Sequence, residues 1–187
     1  VCSSDLTNAT PSLALAFSPD HSRVAAASTD GRVRIWLLPS WRHFATFAPM
    51  ASAVRTLAFS PDSQNLAAAA EKEEVRIWEL STLRTVVSTR ATARRLRYDP
   101  GSGRLGTIFV KGHAGWLNTV RPREFREMIA GSTAQELLDC EMDPEGLFVA
   151  AASLTDLFVA HAESGRILWS LRSPTPSFTF HPADGSL

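Results

Sequence analysis

The chain has 187 residues, 44% hydrophobic and 20% charged, with a formal net charge of zero. That is an ordinary globular balance, long enough for one domain or a repeat array with a sizeable core. Neutrality argues against a nucleic-acid binder, and the longest apolar stretch, Leu147–Ser153, is far too short to cross a bilayer.

The neutrality hides an uneven layout. Residues 81–126 carry ten basic side chains against Asp99 and Glu124, whereas residues 127–187 carry nine acids against Arg166 and Arg172. Such asymmetry means either one anionic partner or two neighbouring surfaces that attract each other.

In chain order, VCSSDL (residues 1–6) reads as the translation of a widely used sequencing-adapter end and is set apart from the fold. Without Cys2, Cys140 is the one cysteine left, so no internal disulfide is expected. No secretory signal is visible, and a cytoplasmic location is expected. Asn8–Thr10 is a formal glycosylation sequon with no secretory context to support it.

LAFSPD at Leu15–Asp20 recurs at Leu57–Asp62, and RVRIWLL (Arg32–Leu38) recurs as EVRIWEL (Glu74–Leu80), both at an offset of 42. Two matches at one offset define an internal repeat. Pro19, Pro61, Pro100, Pro144 and Pro182 extend it at spacings of 42, 39, 44 and 38. Two places before each proline stand Phe17, Phe59, Tyr98, Met142 and Phe180. Two places earlier stand Leu15, Leu57, Leu96, Cys140 and Phe178. This alternation predicts a strand with one packed face, halted by a proline turn.

A second strand follows each turn: RVAAAS (23–28), NLAAAA (65–70), RLGTIFV (104–110) and LFVAAAS (147–153). Alanine is a poor strand former, so its use predicts crowded sheets where larger groups do not fit. A helix is rejected because the short runs recur between turns with no room for it. Third strands are RVRIWLL, EVRIWEL, AGWLNTV (114–120) and LFVAHAE (157–163), the first opened by the tight-turn pair Asp30–Gly31. Fourth strands are RHFATF (42–47), RTVVST (84–89), REFREMIA (123–130) and RILWSL (166–171).

Four short antiparallel strands per roughly 40 residues are the signature of propeller blades. On LAFSPD…AAASTDGRVRIW and LAFSPD…LAAAAEKEEVRIW, the chain resembles the WD40 repeat family, in a divergent, bacterial-type form. The resemblance covers nearly the whole chain from about Ser12 and is specific in the first two units. It implies an all-β fold: a partial β-propeller, an open arc of about four four-stranded blades plus the start of a fifth. The blades fall at about 12–48, 54–90, 94–130 and 137–172, with an incomplete one at 176–187, within a partial propeller of 7–187. The chain reads as a fragment of a larger protein. In the family, a third-strand Trp joins a second-strand Ser or Thr, a turn Asp and a His ahead of the first strand. Ser28, Asp30 and Trp36 match three of these, Trp78 repeats the third-strand Trp in the second unit, and the His is missing.

Chemistry is sparse. Gly101–Gly106 (GSGRLG) fits G-x-G-x-x-G, but it sits between two blade strands, with no helix to meet a pyrophosphate. His21, His43, His113, His161 and His181 have no second ligand at metal spacing, and no nucleophile elbow exists. No cofactor, metal or catalytic residue is assigned. Cys140 is expected in the core, and the tryptophans, Trp41 and Trp169 among them, in core or turn packing.

The cluster RATARRLR (90–97) carries the functional promise. The resemblance places Arg55, Arg94, Arg95 and Arg97 near a partner-binding face, where a guanidinium forks onto a carboxylate or phosphate. For Arg97 a pair with Glu141 of the next blade is the competing account. The expected function is a non-catalytic scaffold or sensor docking a protein or peptide on its loop face, with no nucleic acid and no membrane. A fused effector such as a kinase, protease-like or NTPase domain would lie outside this chain. The alternative is a ligand-binding or enzymatic propeller with a central-channel pocket.

Overall fold

The structure is a computed structural model and describes residues 11–72, 74–90, 93–99, 101, 104–109, 114–118, 125–129, 137–143, 147–162 and 164–172. Residues 1–6, the sequon, His113, His181 and the expected fifth blade lie outside the described residues.

Among the described residues there are sixteen strands and no helix. They form four antiparallel sheets, each built from four consecutive strands in sequence order. Sheet 1 holds β1 (Ser12–Phe17), β2 (Arg23–Ser28), β3 (Val33–Leu37) and β4 (Arg42–Thr46). Sheet 2 holds β5 (Val54–Phe59), β6 (Asn65–Ala70), β7 (Glu74–Glu79) and β8 (Arg84–Thr89). Sheet 3 holds β9 (Ala93–Tyr98), β10 (Arg104–Phe109), β11 (Ala114–Asn118) and β12 (Phe125–Ile129). Sheet 4 holds β13 (Leu137–Met142), β14 (Phe148–Ser153), β15 (Asp156–His161) and β16 (Ile167–Arg172). The chain divides into two compact units, sheets 1 and 2 in Val1–Thr92 and sheets 3 and 4 in Ala93–Leu187.

In the first unit the core lies between the sheets. Ala25, Ala27, Val33, Ile35 and Phe47 of sheet 1 meet Leu57, Phe59, Leu66, Ala68, Ala70 and Trp78 of sheet 2. The alanine run behaves as a strand: Ala67–Ala70 are wholly buried while pairing with β5 and β7. Small side chains on β2 and β6 let the sheets approach, and the larger residues of the outer strands fill the remaining space.

The proline turns share one device. Ser18 Oγ accepts from Arg23 N (2.9 Å) and donates to Asp20 Oδ1 (2.6 Å). Ser60 repeats both contacts with Asn65 N (2.8 Å) and Asp62 Oδ1 (2.5 Å). In the second unit an aspartate replaces the serine: Asp143 Oδ1 accepts from Phe148 N (2.7 Å), and Asp99 Oδ1 from Gly101 N (3.0 Å). All four residues are buried, so each satisfies turn amides that water cannot reach.

The repeat extends to unusual backbone angles. His21 and Ser63 are left-handed at matching points of the first turn, with φ of 57° and 59°. Trp41 and Leu83 match in the β3–β4 and β7–β8 turns, with φ of 55° and 57°. In the second unit Arg97 Nη1 donates to Glu141 Oε1 at 3.1 Å, tying β9 to β13.

Two tryptophans depart from the expectation of packing. Trp169 is 47% exposed because β16 is an outer strand exposed along its whole length. Trp41 does sit in the turn, but 51% exposed. Trp36 and Trp78 are buried, at 8% and 2%.

Candidate partner-binding surface

In the first unit, β1 and β3 run toward the proline turns, so the opposite end gathers the starts of β3, β5 and β7 with the 48–53 connection. That connection is stitched to both sheets. Met50 N donates to Gly31 O (2.9 Å), Glu71 N to Ala53 O (3.0 Å), Lys72 N to Ser52 Oγ (2.8 Å), and Ala51 N to Glu74 Oε2 (2.7 Å). Gly31 makes this possible: its φ is +78°, and a Cβ there would lie 2.7 Å from Met50 O.

Charges crowd this end. Asp30 accepts from Ser28 Oγ (2.5 Å), Arg32 N (3.0 Å), Arg32 Nη1 and Arg34 Nη2 (both 3.2 Å). Burial opposes ionisation of Asp30, but these donors outweigh it and hold the carboxyl well below the usual range. In sheet 2, position 70 is alanine and has no hydroxyl to offer. Glu74 takes over, binding Ala51 N and accepting from Arg76 Nε at 2.5 Å. Arg55, exposed at the start of β5, pairs with Glu71. An open hollow beside it is lined by Ala51, Glu71, Lys72, Glu74, Ser88, Thr89 and Arg90.

The expected joining of Trp36 to Ser28 and Asp30 does not occur. Register places Trp36 opposite Val24, four residues along β2 from Ser28 and so roughly 13 Å away. Arg34 stands opposite Ala26, one same-face row nearer, and its Nη1 reaches Ser28 Oγ at 2.9 Å. Trp36 instead packs edge-on to His43, with centroids 6.3 Å apart. Trp78 stacks on Phe47 across the sheets.

Arg94 and Arg95 are exposed near the start of β9, Arg94 at the strand position that Arg55 holds in β5. Arg97, further along β9, is engaged by Glu141. The sequence reading missed Arg34, Glu74 and Arg76. The signal was present as an acid followed by arginine on the next strand, DGRVR and EVR. Among the described residues no three metal-ligating side chains gather. No helix long and apolar enough to cross a membrane is present among them either.

Residues 2–36 and 42–79 match the family model for the WD domain, G-beta repeat. These two segments of the chain match WD40 repeats. The second WD40 match begins at β4 and ends in β7, so it takes the outer strand of sheet 1 with three strands of sheet 2. Among solved structures, the chain is similar to the β-propeller domain of Cps50 (Swd1) from Myceliophteria thermophila. The TM-score is 0.80 at 15% identity, over 89% of this chain and 56% of that one. The chain therefore spans little more than half the length of that domain, and the likeness carries the fold: the four sheets are blades of an all-β partial propeller. No curated protein matches it.

Proposed function

We propose that this propeller-like array is a non-catalytic interaction module that docks a carboxylate-bearing peptide or protein at the end of the first unit where β5 begins. The reading rests on Arg55, held beside the stitched 48–53 connection and exposed at a strand start. WD40 propellers serve generally as protein-interaction scaffolds, which supports the class. Its pairing with Glu71 is an exposed one, worth little in water, so a partner carboxylate replaces Glu71 at small cost. In the second unit, taken by itself, Arg94 and Arg95 stand exposed near the start of β9 and offer a carboxylate the same chemistry. The fixed connection means little order is lost on docking.

The test uses short fluorescein-labelled peptides rich in Asp, Glu, Gly and Ser, with Lys-for-Glu versions as controls. Acidic peptides are expected to bind and to weaken about tenfold or more in Arg55→Glu, and Arg94→Glu/Arg95→Glu tests the start of β9 separately. Arg97→Glu is expected to lower stability more than binding. Equal binding of acidic and basic peptides, or no change in these variants, would sink the reading.

A further inference from the structure

The other end of the first two sheets carries a feature that the reading above does not use. Trp41 and Leu83 occupy matching turns on adjacent sheets, both bulky, both left-handed, and 51% and 43% exposed. In sheet 4 the matching position, immediately before the arginine that precedes β16, is Gly165 with φ of 66°. The turn therefore requires this backbone angle, and glycine adopts it without cost. A tryptophan or leucine there is strained and gains little burial in return. Folding alone gives no reason for either side chain.

Both turns are held rigidly. Leu38 N donates to Ser22 O and Leu80 N to Gln64 O, each at 2.8 Å, so each outer turn is fixed to the proline turn of its own sheet. The two proline turns are joined in turn: Asp20 N donates to Ser63 Oγ (3.2 Å) and Arg23 Nη1 to Ser63 O (3.1 Å). Beside each apolar residue stands an exposed arginine, Arg42 after Trp41 and Arg84 after Leu83. Among the described residues neither guanidinium has an ion-pair partner.

We propose that Trp41 and Leu83 are paired anchors of a second docking surface, which takes an acidic peptide carrying two apolar side chains. The apolar side chains cover Trp41 and Leu83, while flanking carboxylates meet Arg42 and Arg84. Tryptophan and arginine are the residues most often dominant in such contacts, and the fixed turns spare the ordering cost. This surface lies at the opposite end of the strands from Arg55, and its variants leave Arg55 untouched, so the two readings fail separately.

The probe is a set of short fluorescein-labelled peptides with two Leu or Phe residues among Asp and Glu, read by anisotropy. Matched peptides lack the apolar residues or carry Lys for the acids. Trp41→Gly and Leu83→Gly are each expected to weaken the acidic apolar peptides by about tenfold or more. Their thermal midpoints should be unchanged or higher, because glycine relieves the backbone. Arg42→Glu and Arg84→Glu should weaken the same peptides with the fold intact. The proposal is overturned if no acidic apolar peptide binds, if the glycine variants bind as the parent does, or if lysine peptides bind equally. It is also overturned if Trp41→Gly abolishes self-association instead, which would make the surface a contact between copies.

Discussion

Phe47, just beyond β4, lies flat on Trp78 of β7, with ring centroids 4.4 Å apart and planes 13° from parallel. The pair joins sheet 1 to sheet 2 within their shared core. Phe47→Ala is expected to destabilise the first unit by about 3–5 kcal/mol, since it removes a buried ring and leaves a cavity. Urea unfolding followed by tryptophan fluorescence checks this. A loss below about 1 kcal/mol would mean that the stacking contributes little to the join.

Gly31 faces the backbone of the neighbouring connection, so Gly31→Ala meets both an unfavourable φ and a clash with Met50 O. The expected cost is more than about 2 kcal/mol. Hydrogen exchange should rise first at Met50, whose amide donates to Gly31 O. Unchanged exchange at Met50 would show that the connection is held without this contact.

Acid should loosen the turns in a defined order. The hydroxyl of Ser18, with the Ser22 amide, holds the Asp20 carboxyl down at about 2, against an ordinary 3.8. A carboxyl lowered by folding stabilises above its unfolded pKa and loses that contribution as pH falls toward the folded one. Stability from Asp20 is therefore complete above about pH 5 and gone only at about pH 1, below the folded value. Asp30, held lower still, keeps its contribution further into acid. Asp30→Asn should cost about 1 kcal/mol at neutral pH, and the gap from the parent should close only below about pH 3. Urea midpoints across this range are the measurement, and a gap that closes by pH 5 would contradict it.

Much of the fold was legible because its constraints are local and periodic. Proline halts the first strand, the residue before it closes the turn, and alternation marks the packed face. These signals place β1 to β3 and β5 to β7 from sequence alone. The WD40 resemblance followed from the same positions. The charged network at Asp30 was not legible, because it depends on register. Arg34 and Trp36 point to the same face as Ser28, and only the pairing Arg34–Ala26 and Trp36–Val24 decides which one reaches it. Trp169 was misplaced for a related reason: β16 has the composition of a buried strand and the position of an outer one. Arg97 carried two readings, and its contact with Glu141 supports the structural one.

The second matched segment, residues 42–79, straddles two sheets. The matched repeat and the unit that folds as a sheet are therefore out of phase by one strand. Severing the chain between Trp41 and Arg42 would strip sheet 1 of its border strand while leaving sheet 2 whole. Transplanting the 42–79 segment into another array would graft a border strand onto the sheet before it.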